Sequence, residues 1–246
     1  MIVIRSEVAR VGIGDIGSPA QGLSRPTSAQ QVANHIRRMI FDNRLHAGER
    51  VPQDDIAAEL RVSRVPVREA VIALAGEGWV TTEPHRGAFV NGLDENSTYD
   101  HYELLGLLYG FGARRAAERG SEEGITALGK IHKALQATDD PDEFWDLNSA
   151  FLRQVLVMAK SRRVNALARV MATSIVPGNF FAEVPGVMAM HKRGMRAVMR
   201  AMKAGDGEAA EREFAKMLRF EAENVVELLA SRQLLGPGPD GEDAKG

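Results

Sequence analysis

Two arginines, Arg64 and Arg68, are the residues whose type and spacing first indicate a chemical role. They lie four residues apart, which places them on one face of a predicted helix and near its amino end. A guanidinium group can donate two hydrogen bonds to O6 and N7 of guanine, and Ser63 or the backbone beside it could hold a phosphate. The alternative is two solvated arginines on an ordinary surface helix, and the pair taken alone favours that alternative.

A second candidate lies in residues 83–87, where Arg86 stands beside Gly87. Residues 79–82 and 88–90 predict two short strands, with this segment as the tip of their hairpin. An arginine beside a glycine can approach a narrow minor groove closely. A solvated turn is the less specific interpretation.

The helix that carries Arg64 and Arg68 is predicted to be the second of a pair. Residues 52–60 begin with a proline and then two acids, which are features of a helix start. The next two residues make a turn, and Ser63 is placed to cap the second helix with its hydroxyl. A helix over residues 28–43, capped by Ser28, would support both. Helix, turn, helix and hairpin together predict a winged helix-turn-helix.

Composition limits the classes of protein to which the chain can belong. The 246 residues favour two domains, and 44% hydrophobic with 26% charged residues is typical of a soluble globular protein. The absence of cysteine excludes a disulfide framework and a thiolate metal site. The net charge of −2 means that DNA binding would depend on local placement of arginines. No segment is apolar enough for a signal peptide or a membrane span, so we expect a cytoplasmic protein.

The chain divides into four predicted parts. Residues 1–27 form a flexible arm, 28–92 the winged domain, 93–233 a helical domain and 234–246 a disordered tail. Breaks at Gly and Pro predict only helices in the third part. The predicted helices span 95–119, 122–137, 141–159, 161–175, 186–204 and 206–232. The predicted fold is therefore mainly α: an N-terminal winged helix-turn-helix plus a C-terminal all-α antiparallel helical bundle.

Catalytic signatures are missing from the sequence. Its six histidines are scattered, and none has a motif partner. We find no nucleophile with a base, no phosphate loop and no metal cluster. The chain is therefore predicted not to be an enzyme, and an enzyme with an appended winged helix is the less favoured alternative.

The segment V-S-R-V-P-V-R-E-A-V-I-A-L-A-G-E-G-W-V, followed by P-H-R-G-A-F-V, closely resembles the DNA-binding half of the GntR family. The resemblance covers about residues 28–92. It implies that the recognition helix reads the major groove and that the wing tip reads the minor groove. The positions of this chain that match the DNA-contacting residues of the family are Ser63, Arg64, Arg68, Arg86 and Gly87. Many members have an arginine where this chain has Asp54, and an acid there should weaken affinity or change the base preference.

Residues 95–230 resemble the FCD domain of the FadR-like branch of that family, with M-R-A-V-M-R-A-M-K-A-G-D-G-E-A-A at 195–210 fitting best. Many FCD domains hold a divalent metal with one Asp and three His. The matching positions here are Asn148, Leu152, Met195 and Met217. Leucine cannot ligate a metal and methionine sulfur is soft, so we expect no metal cofactor. An alignment shifted by one turn would leave His191 as a single surviving ligand.

The same resemblance matches a family arginine and glutamate to Leu105 and Tyr109. We therefore expect a metal-free, mostly apolar effector cavity, suited to a small ligand with one polar group. Its expected lining is Leu105, Tyr109, Asn148, Leu152, Met195 and Met217; a core filled by the methionines is the alternative. Asn148 should point inward, where its amide must bond a neighbour such as Tyr109 or Glu221, a water or the effector.

Together these resemblances imply a sequence-specific DNA-binding transcriptional regulator. The expected protein is a repressor that a small metabolite of unknown identity releases from DNA. It should be a homodimer, joined through its helical domains, on double-stranded DNA with a palindromic operator. A regulator whose pocket has degenerated, and which has no small-molecule effector, is the main alternative.

Overall fold

The computed structural model of the chain describes residues 27–171, 175–176, 179–184 and 186–236. The amino-terminal part has three helices and a hairpin: α1 (Ser28–Phe41), α2 (Gln53–Glu59), α3 (Arg64–Gly76), β1 (Val80–Glu83) and β2 (Gly87–Val90). The rest is helical: α4 (Glu95–Arg119), α5 (Glu122–Ala137), α6 (Pro141–Ala159), α7 (Arg162–Met171), α8 (Phe180–Glu183), α9 (Val187–Lys203) and α10 (Gly207–Ser231). The predicted fold class, mainly α with a winged helix-turn-helix and a helical domain, is confirmed.

In the winged domain, α1 and α2 both pack on α3. The buried stripe of α1, with Val32 and Ile36 wholly inaccessible, follows the helical period. The prediction that Ser28 caps this helix is wrong, because Thr27 occupies the cap position. The Thr27 hydroxyl accepts from Gln30 N at 3.2 Å, and Gln30 Oε1 accepts from Thr27 N at 2.7 Å. This reciprocal pair satisfies two backbone donors at once.

A buried ion pair holds the end of α3 against α1. The guanidinium of Arg37 donates to the Glu77 carboxylate and lies 5.9 Å from the ring centroid of Trp79. Arg37 is only 6% exposed. Its second donor reaches Asn34 Oδ1 at 2.7 Å. A buried charge is tolerated only when it is paired and hydrogen-bonded in this way.

The hairpin is antiparallel, with Val80 opposite Val90 and Glu83 opposite Gly87. Its strands start and end within a residue of the predicted ones. Arg50, in the segment before α2, forms an isolated bridge with Phe89. The loop between α1 and α2 is thereby attached to the outer edge of the wing.

The core of the helical domain is built on two 25-residue helices, α4 and α10, that approach each other closely. Gly106 and Gly110 make this approach possible. A Cβ on Gly110 would lie 2.9 Å from Glu211 O, and one on Gly106 would lie 3.2 Å from Ala215 Cα. Helices α6 and α9 pack on the sides of this pair.

The predicted bounds of the first three helices of this domain, 95–119, 122–137 and 141–159, are confirmed. A side chain caps each one. Asp94 accepts from Ser97 N at 2.9 Å, Ser121 from Gly124 N at 3.2 Å and Asp140 from Glu143 N at 2.8 Å. These are the residue types that favour a helix start, so the sequence carried the signal.

The predicted helix over 161–175 is too long. α7 ends at Met171 among the described residues, and Ile175 and Val176 are not helical. The proline after Val176 disfavours helical backbone there. The four-residue helix α8 was not predicted because it is shorter than one hydrophobic repeat; the Asn179 side chain, which accepts from Phe181 N at 3.0 Å, starts it.

Both ends of the chain extend past the described residues. The expected amino-terminal arm lies outside them up to residue 26, and residues 237–246 of the expected tail do as well. Leu234–Gly236, also assigned to that tail, run beside the joint between the domains, where Gly236 N donates to Leu93 O at 2.8 Å. Among the helices that the structure describes, none combines the length and apolar character of a membrane span.

Candidate nucleic-acid interface and interior polar cluster

The amino end of α3 presents the predicted recognition residues to solvent. Arg64 and Arg68 are both exposed, while Val67, Ala70, Val71 and Leu74 are buried against the domain. Ser63 stands at the cap position, but its hydroxyl makes no capping hydrogen bond, so that part of the prediction is wrong. The exposed hydroxyl and the first backbone N–H groups of the helix are therefore available to an anion such as a phosphate.

Asp54 forms an ion pair with Arg64. Its Oδ1 lies 2.9 Å from Arg64 Nε, and the two side chains are 70% and 78% exposed. An exposed pair of this kind contributes at most about 1 kcal/mol, so an approaching base or phosphate can replace the carboxylate. From the sequence, Asp54 is expected only to repel the DNA phosphates. The structure shows that it also pairs with an arginine that is predicted to contact bases.

Val65 is a candidate contact that the sequence reasoning missed. It follows Arg64 directly and is 62% exposed, although it is a large apolar residue at the first turn of the helix. An apolar side chain in the major groove can pack against the C5 methyl group of thymine. The available signal was its position, since Val65 falls outside the buried i, i+3, i+4, i+7 set of α3.

The tip of the wing carries two arginines. Arg86 pairs with Glu83 and lies 5.4 Å from the ring centroid of Phe89. Gly87 has φ of +113°, and a Cβ on it would lie 2.8 Å from Arg50 Nε. The backbone conformation therefore favours glycine there, while the guanidinium of Arg50, at the end of a flexible side chain, could move aside. Arg50 was not singled out from the sequence because it is distant from the hairpin along the chain.

All six predicted pocket residues lie in the interior of the helical domain, on α4, α6, α9 and α10. Their exposed fractions are 8% for Leu105, 3% for Tyr109, 5% for Asn148, 7% for Leu152, 0% for Met195 and 3% for Met217. The inward orientation expected for Asn148 is confirmed. That the six line one cavity with room for a ligand stays a prediction.

A histidine and a glutamate meet one helical turn from the two methionines. His191 precedes Met195 by four residues on α9, and Glu221 follows Met217 by four residues on α10. His191 Nε2 lies 3.4 Å from Glu221 Oε2. Burial lowers the pKa of His191 to about 4 and raises the pKa of Glu221 to about 8. Both shifts favour the uncharged forms of the two groups.

Aromatic rings enclose this pair. The ring centroid of Phe181 in α8 lies 4.9 Å from that of His191, and the ring centroid of Phe144 in α6 lies 6.4 Å away, both edge to face. Phe180 and Phe181 are both buried, and the Phe181 ring packs between Phe144 of α6 and His191 of α9.

Several buried polar atoms of the helical domain have no hydrogen-bond partner within the described part of the chain. They include Tyr109 Oη, Asn148 Oδ1 and His191 Nδ1, and also Ser149 Oγ, next to Asn148 in sequence. Neither Tyr109 nor Glu221, the two neighbours expected for Asn148, bonds its Oδ1. Leaving a buried polar group unsatisfied costs about 1–3 kcal/mol, so such groups in a native interior call for an explanation.

Three of the four positions that the resemblance matches to metal ligands lack a donor suited to a hard divalent metal. Leu152 has no donor atom, and Met195 and Met217 have soft thioether sulfurs. Among the described residues, no three His, Cys, Asp or Glu side chains come together as metal ligands. His191 and Glu221 are only two, so a metal-free site stays our expectation.

The exposed arginines of α3 and of the wing, together with the helical domain beyond them, define a winged helix-turn-helix protein with a second, all-helical domain. Residues 28–90 match the family described as bacterial regulatory proteins, gntR family, and residues 100–220 match the FCD domain. The chain belongs to the GntR family and carries an FCD domain.

Two relatives illustrate the family. An uncharacterised HTH-type transcriptional regulator of Mycobacterium tuberculosis is 32% identical over 151 residues, which are 61% of this chain and 62% of the relative's length. The chain thus spans about three fifths of that relative. A probable D-xylose utilization operon transcriptional repressor of Paenarthrobacter nicotinovorans is 29% identical over 195 residues, 77% of this chain and 84% of its own.

One solved structure supports the fold. The E. coli protein McbR/YncC is 18% identical, with a TM-score of 0.59, over 84% of this chain and 99% of its own. At that identity the likeness concerns the arrangement of helices and strands.

Proposed function

We propose that this chain is a sequence-specific DNA-binding transcriptional regulator, acting as a repressor that a small metabolite releases from DNA. The observation that carries the proposal is the exposed amino end of α3, where Ser63, Arg64 and Arg68 face solvent on a helix whose other face is buried. A recognition helix enters the major groove by this end in winged and helix-turn-helix proteins.

In the proposed complex, the two arginines of α3 donate to guanine O6 and N7, and Val65 lies against a thymine methyl group. Arg86 and Arg50 at the wing approach the minor groove or its phosphates. The carboxylates that now pair with Arg64 and Arg86, those of Asp54 and Glu83, must give up these bonds. This exchange is feasible because both pairs are exposed.

We further propose that the active form is a homodimer on a palindromic operator. A chain of net charge −2 has no overall attraction to DNA and depends on locally placed arginines, and two copies double those contacts. Apolar pairs at i, i+3 spacing are exposed on α4 and α7 of the helical domain. They are Leu104 with Leu107, 53% and 58% exposed, and Leu167 with Val170, 56% and 61% exposed.

Sedimentation equilibrium at micromolar concentration tests the dimer. We expect twice the chain mass of 26.8 kDa. Replacing both residues of a pair by glutamate should give the monomer if that pair lies in the contact, so each double replacement is made separately and compared with the other. A wild-type monomer, or a dimer that survives both double replacements, would contradict the assignment to these faces.

Control by a metabolite is supported by Tyr109 Oη, Asn148 Oδ1 and His191 Nδ1, three of the buried atoms in the helical domain that have no partner among the described residues. In a pocket that no longer binds a ligand, apolar side chains would be expected at all of the predicted pocket positions, as Met195 is at one of them. Repression is the activity that the name of the Paenarthrobacter relative gives to that protein. A cytoplasmic location and a non-enzymatic role complete the proposal.

Selection from a pool of random duplex DNA tests the central part, because the protein itself picks out its operator from the pool. Purified protein should enrich sequences that contain a short inverted repeat. The Arg68→Ala variant should enrich it weakly, while Arg153→Ala, at an exposed position of α6, should enrich it as wild type does. If wild type enriches no common sequence, the proposal is wrong.

A further inference from the structure

Some of the polar side chains inside the helical domain lie around one pair of residues, His191 and Glu221. Phe144, whose ring contacts His191, lies one turn before Asn148 on the same face of α6. Tyr109 is close enough to Glu221 for that carboxylate, with burial, to raise the pKa of the phenol. Four helices thus each contribute one polar side chain to the same region of the interior.

Three of these four side chains are more than nine-tenths buried, and each has an atom without a protein partner among the described residues. Tyr109 is 3%, Asn148 5% and His191 2% exposed. Their rotamers are fixed by packing, as the stacking of Tyr109 on Phe214 with 5.7 Å between ring centroids shows. Buried groups of this kind are normally satisfied, so a ligand that satisfies all three would bind with high selectivity.

The fully buried side chains that the structure describes in this domain offer the ligand no fixed positive charge. The buried polar side chains described in the helical domain are Thr98, Thr138, Asn148, Ser149, Asn179 and His191. Arginine and lysine are not among them, and the imidazole of His191 is neutral at neutral pH because burial lowers its pKa. An anion entering this interior would lose its hydration without gaining a counter-charge, and it would meet the carboxyl group of Glu221.

The donors and acceptors of these side chains further limit the chemical class of the ligand. His191 Nε2 faces the carboxyl group of Glu221, so Nδ1 is the free ring nitrogen, a donor in one tautomer and an acceptor in the other. Asn148 Oδ1 is an acceptor, and the Tyr109 hydroxyl is both. Hydroxyl groups match this set because each one donates and accepts. The apolar side chains of Leu105 and Leu152, 8% and 7% exposed, suit the C–H face of such a molecule.

We propose that this interior site binds a small, uncharged polyhydroxy molecule, held by hydrogen bonds to Tyr109, Asn148 and His191. This proposal rests on the proposed control by a metabolite, and it names the chemical class of that metabolite. It differs from the mostly apolar ligand with one polar group that the sequence indicates, because three buried atoms need partners instead of one.

Thermal shift of the full chain tests the ligand class with matched probes. Sorbitol, xylitol and D-glucose are the neutral probes, and gluconate and xylonate are anions with the same carbon numbers. We expect a saturable rise in Tm at millimolar concentration with at least one neutral probe and no rise with its anion. A larger rise with the anions, or no rise with any neutral probe, would overturn the proposal.

Variants separate specific binding from general stabilisation by polyols. Tyr109→Phe and Asn148→Leu should abolish the shift, while Tyr99→Phe, a half-buried tyrosine at the start of α4, should retain it. Without ligand, Tyr109→Phe should leave Tm unchanged or raised, because its hydroxyl has no partner to lose among the described residues. A clear fall in the Tm of unliganded Tyr109→Phe would show that the hydroxyl is already bonded, and would overturn the proposal.

DNA-binding measurements distinguish a wrong ligand class from a wrong regulatory function. Both pocket variants should bind the selected duplex with wild-type affinity. If the anions bind and release the duplex, metabolite control stands and only the ligand class is wrong. If wild type binds no specific duplex, the regulatory function itself fails.

Discussion

The guanidinium carbon of Arg232, at the end of α10, lies 4.5 Å from the ring centroid of Phe41, at the end of α1. Arg232 also pairs with Glu183 of α8, two residues after the Phe181 ring that covers His191. One side chain therefore links the wall of the interior polar cluster to the winged domain. A change in that wall on ligand binding has a direct route to the DNA-binding half.

The Arg232→Ala change tests this link by hydrogen exchange. A partly exposed cation–π contact contributes about 0.5–1 kcal/mol, so its loss should speed exchange in the last turn of α1 and in α8. Arg219→Ala, at an exposed position of the same helix, is the control. Faster exchange confined to α10 would show that Arg232 does not connect the domains.

The Asp54→Ala change tests the role of the acid beside the recognition helix. Removing a negative charge near phosphate should raise DNA affinity modestly and make its salt dependence steeper by about one unit of slope. Anisotropy titrations at several salt concentrations measure both quantities. If affinity falls instead, Asp54 positions Arg64 for base contact, and its attraction to that arginine outweighs its repulsion of phosphate.

The Glu77→Ala change tests the buried ion pair of the winged domain. It leaves the Arg37 guanidinium buried without its carboxylate, and loss of one partner of a buried pair costs about 3–5 kcal/mol. Glu59→Ala removes an exposed carboxylate 3.9 Å from Arg44 and should cost under about 1 kcal/mol. Urea unfolding of both variants gives the comparison. Equal losses would mean that Arg37 finds another partner.

The titration of Glu221 predicts a pH dependence of stability. Its folded pKa of about 8 lies above the ordinary value of 4.5, so the fold favours the protonated form and loses stability as pH rises toward 8. His191, with its pKa lowered from 6.5 to about 4, has the opposite effect, but only below about pH 6.5. Between pH 6.5 and 8 the Glu221 effect remains alone, at most about 1.4 kcal/mol per pH unit.

The Glu221→Gln change should flatten the stability profile over that window, and Glu223→Gln, at an exposed position of α10, should leave it as in wild type. Unfolding free energies at pH 6.5, 7.2 and 8 measure the slope. A slope that persists in Glu221→Gln would assign the titration to another group.

Local signals in the sequence were sufficient for most of the fold. Asp94, Ser121 and Asp140 cap the helices that they precede, and the apolar period marks the buried face of α3. Where two residues competed for one role, the local signal failed, as at Thr27 and Ser28. The helix α8 was not predicted, because four residues are too few to show a hydrophobic periodicity. Its aromatic side chains are held by contacts with helices that are distant in sequence.

The candidate sites divide in the same way. Arg64 and Arg68 lie within α3, and Arg86 directly precedes β2, so their exposure could be predicted from local sequence alone. The pairing of Asp54 with Arg64 depends on the angle between two helices. The meeting of His191 and Glu221 depends on the register between α9 and α10. The sequence did place each of these residues one turn from a methionine at a predicted pocket position. Only the structure shows that the two helical turns face each other.

The most direct test of the account is the affinity for the selected duplex, measured by fluorescence anisotropy. Arg64→Ala and Arg68→Ala should each weaken binding by about 1–3 kcal/mol and relax the preference for the cognate sequence over a scrambled one. Arg86→Ala should weaken binding with a smaller loss of preference, and Arg153→Ala should bind as wild type does. If both α3 variants bind the cognate duplex with wild-type affinity and preference, α3 does not read the DNA and the account is wrong.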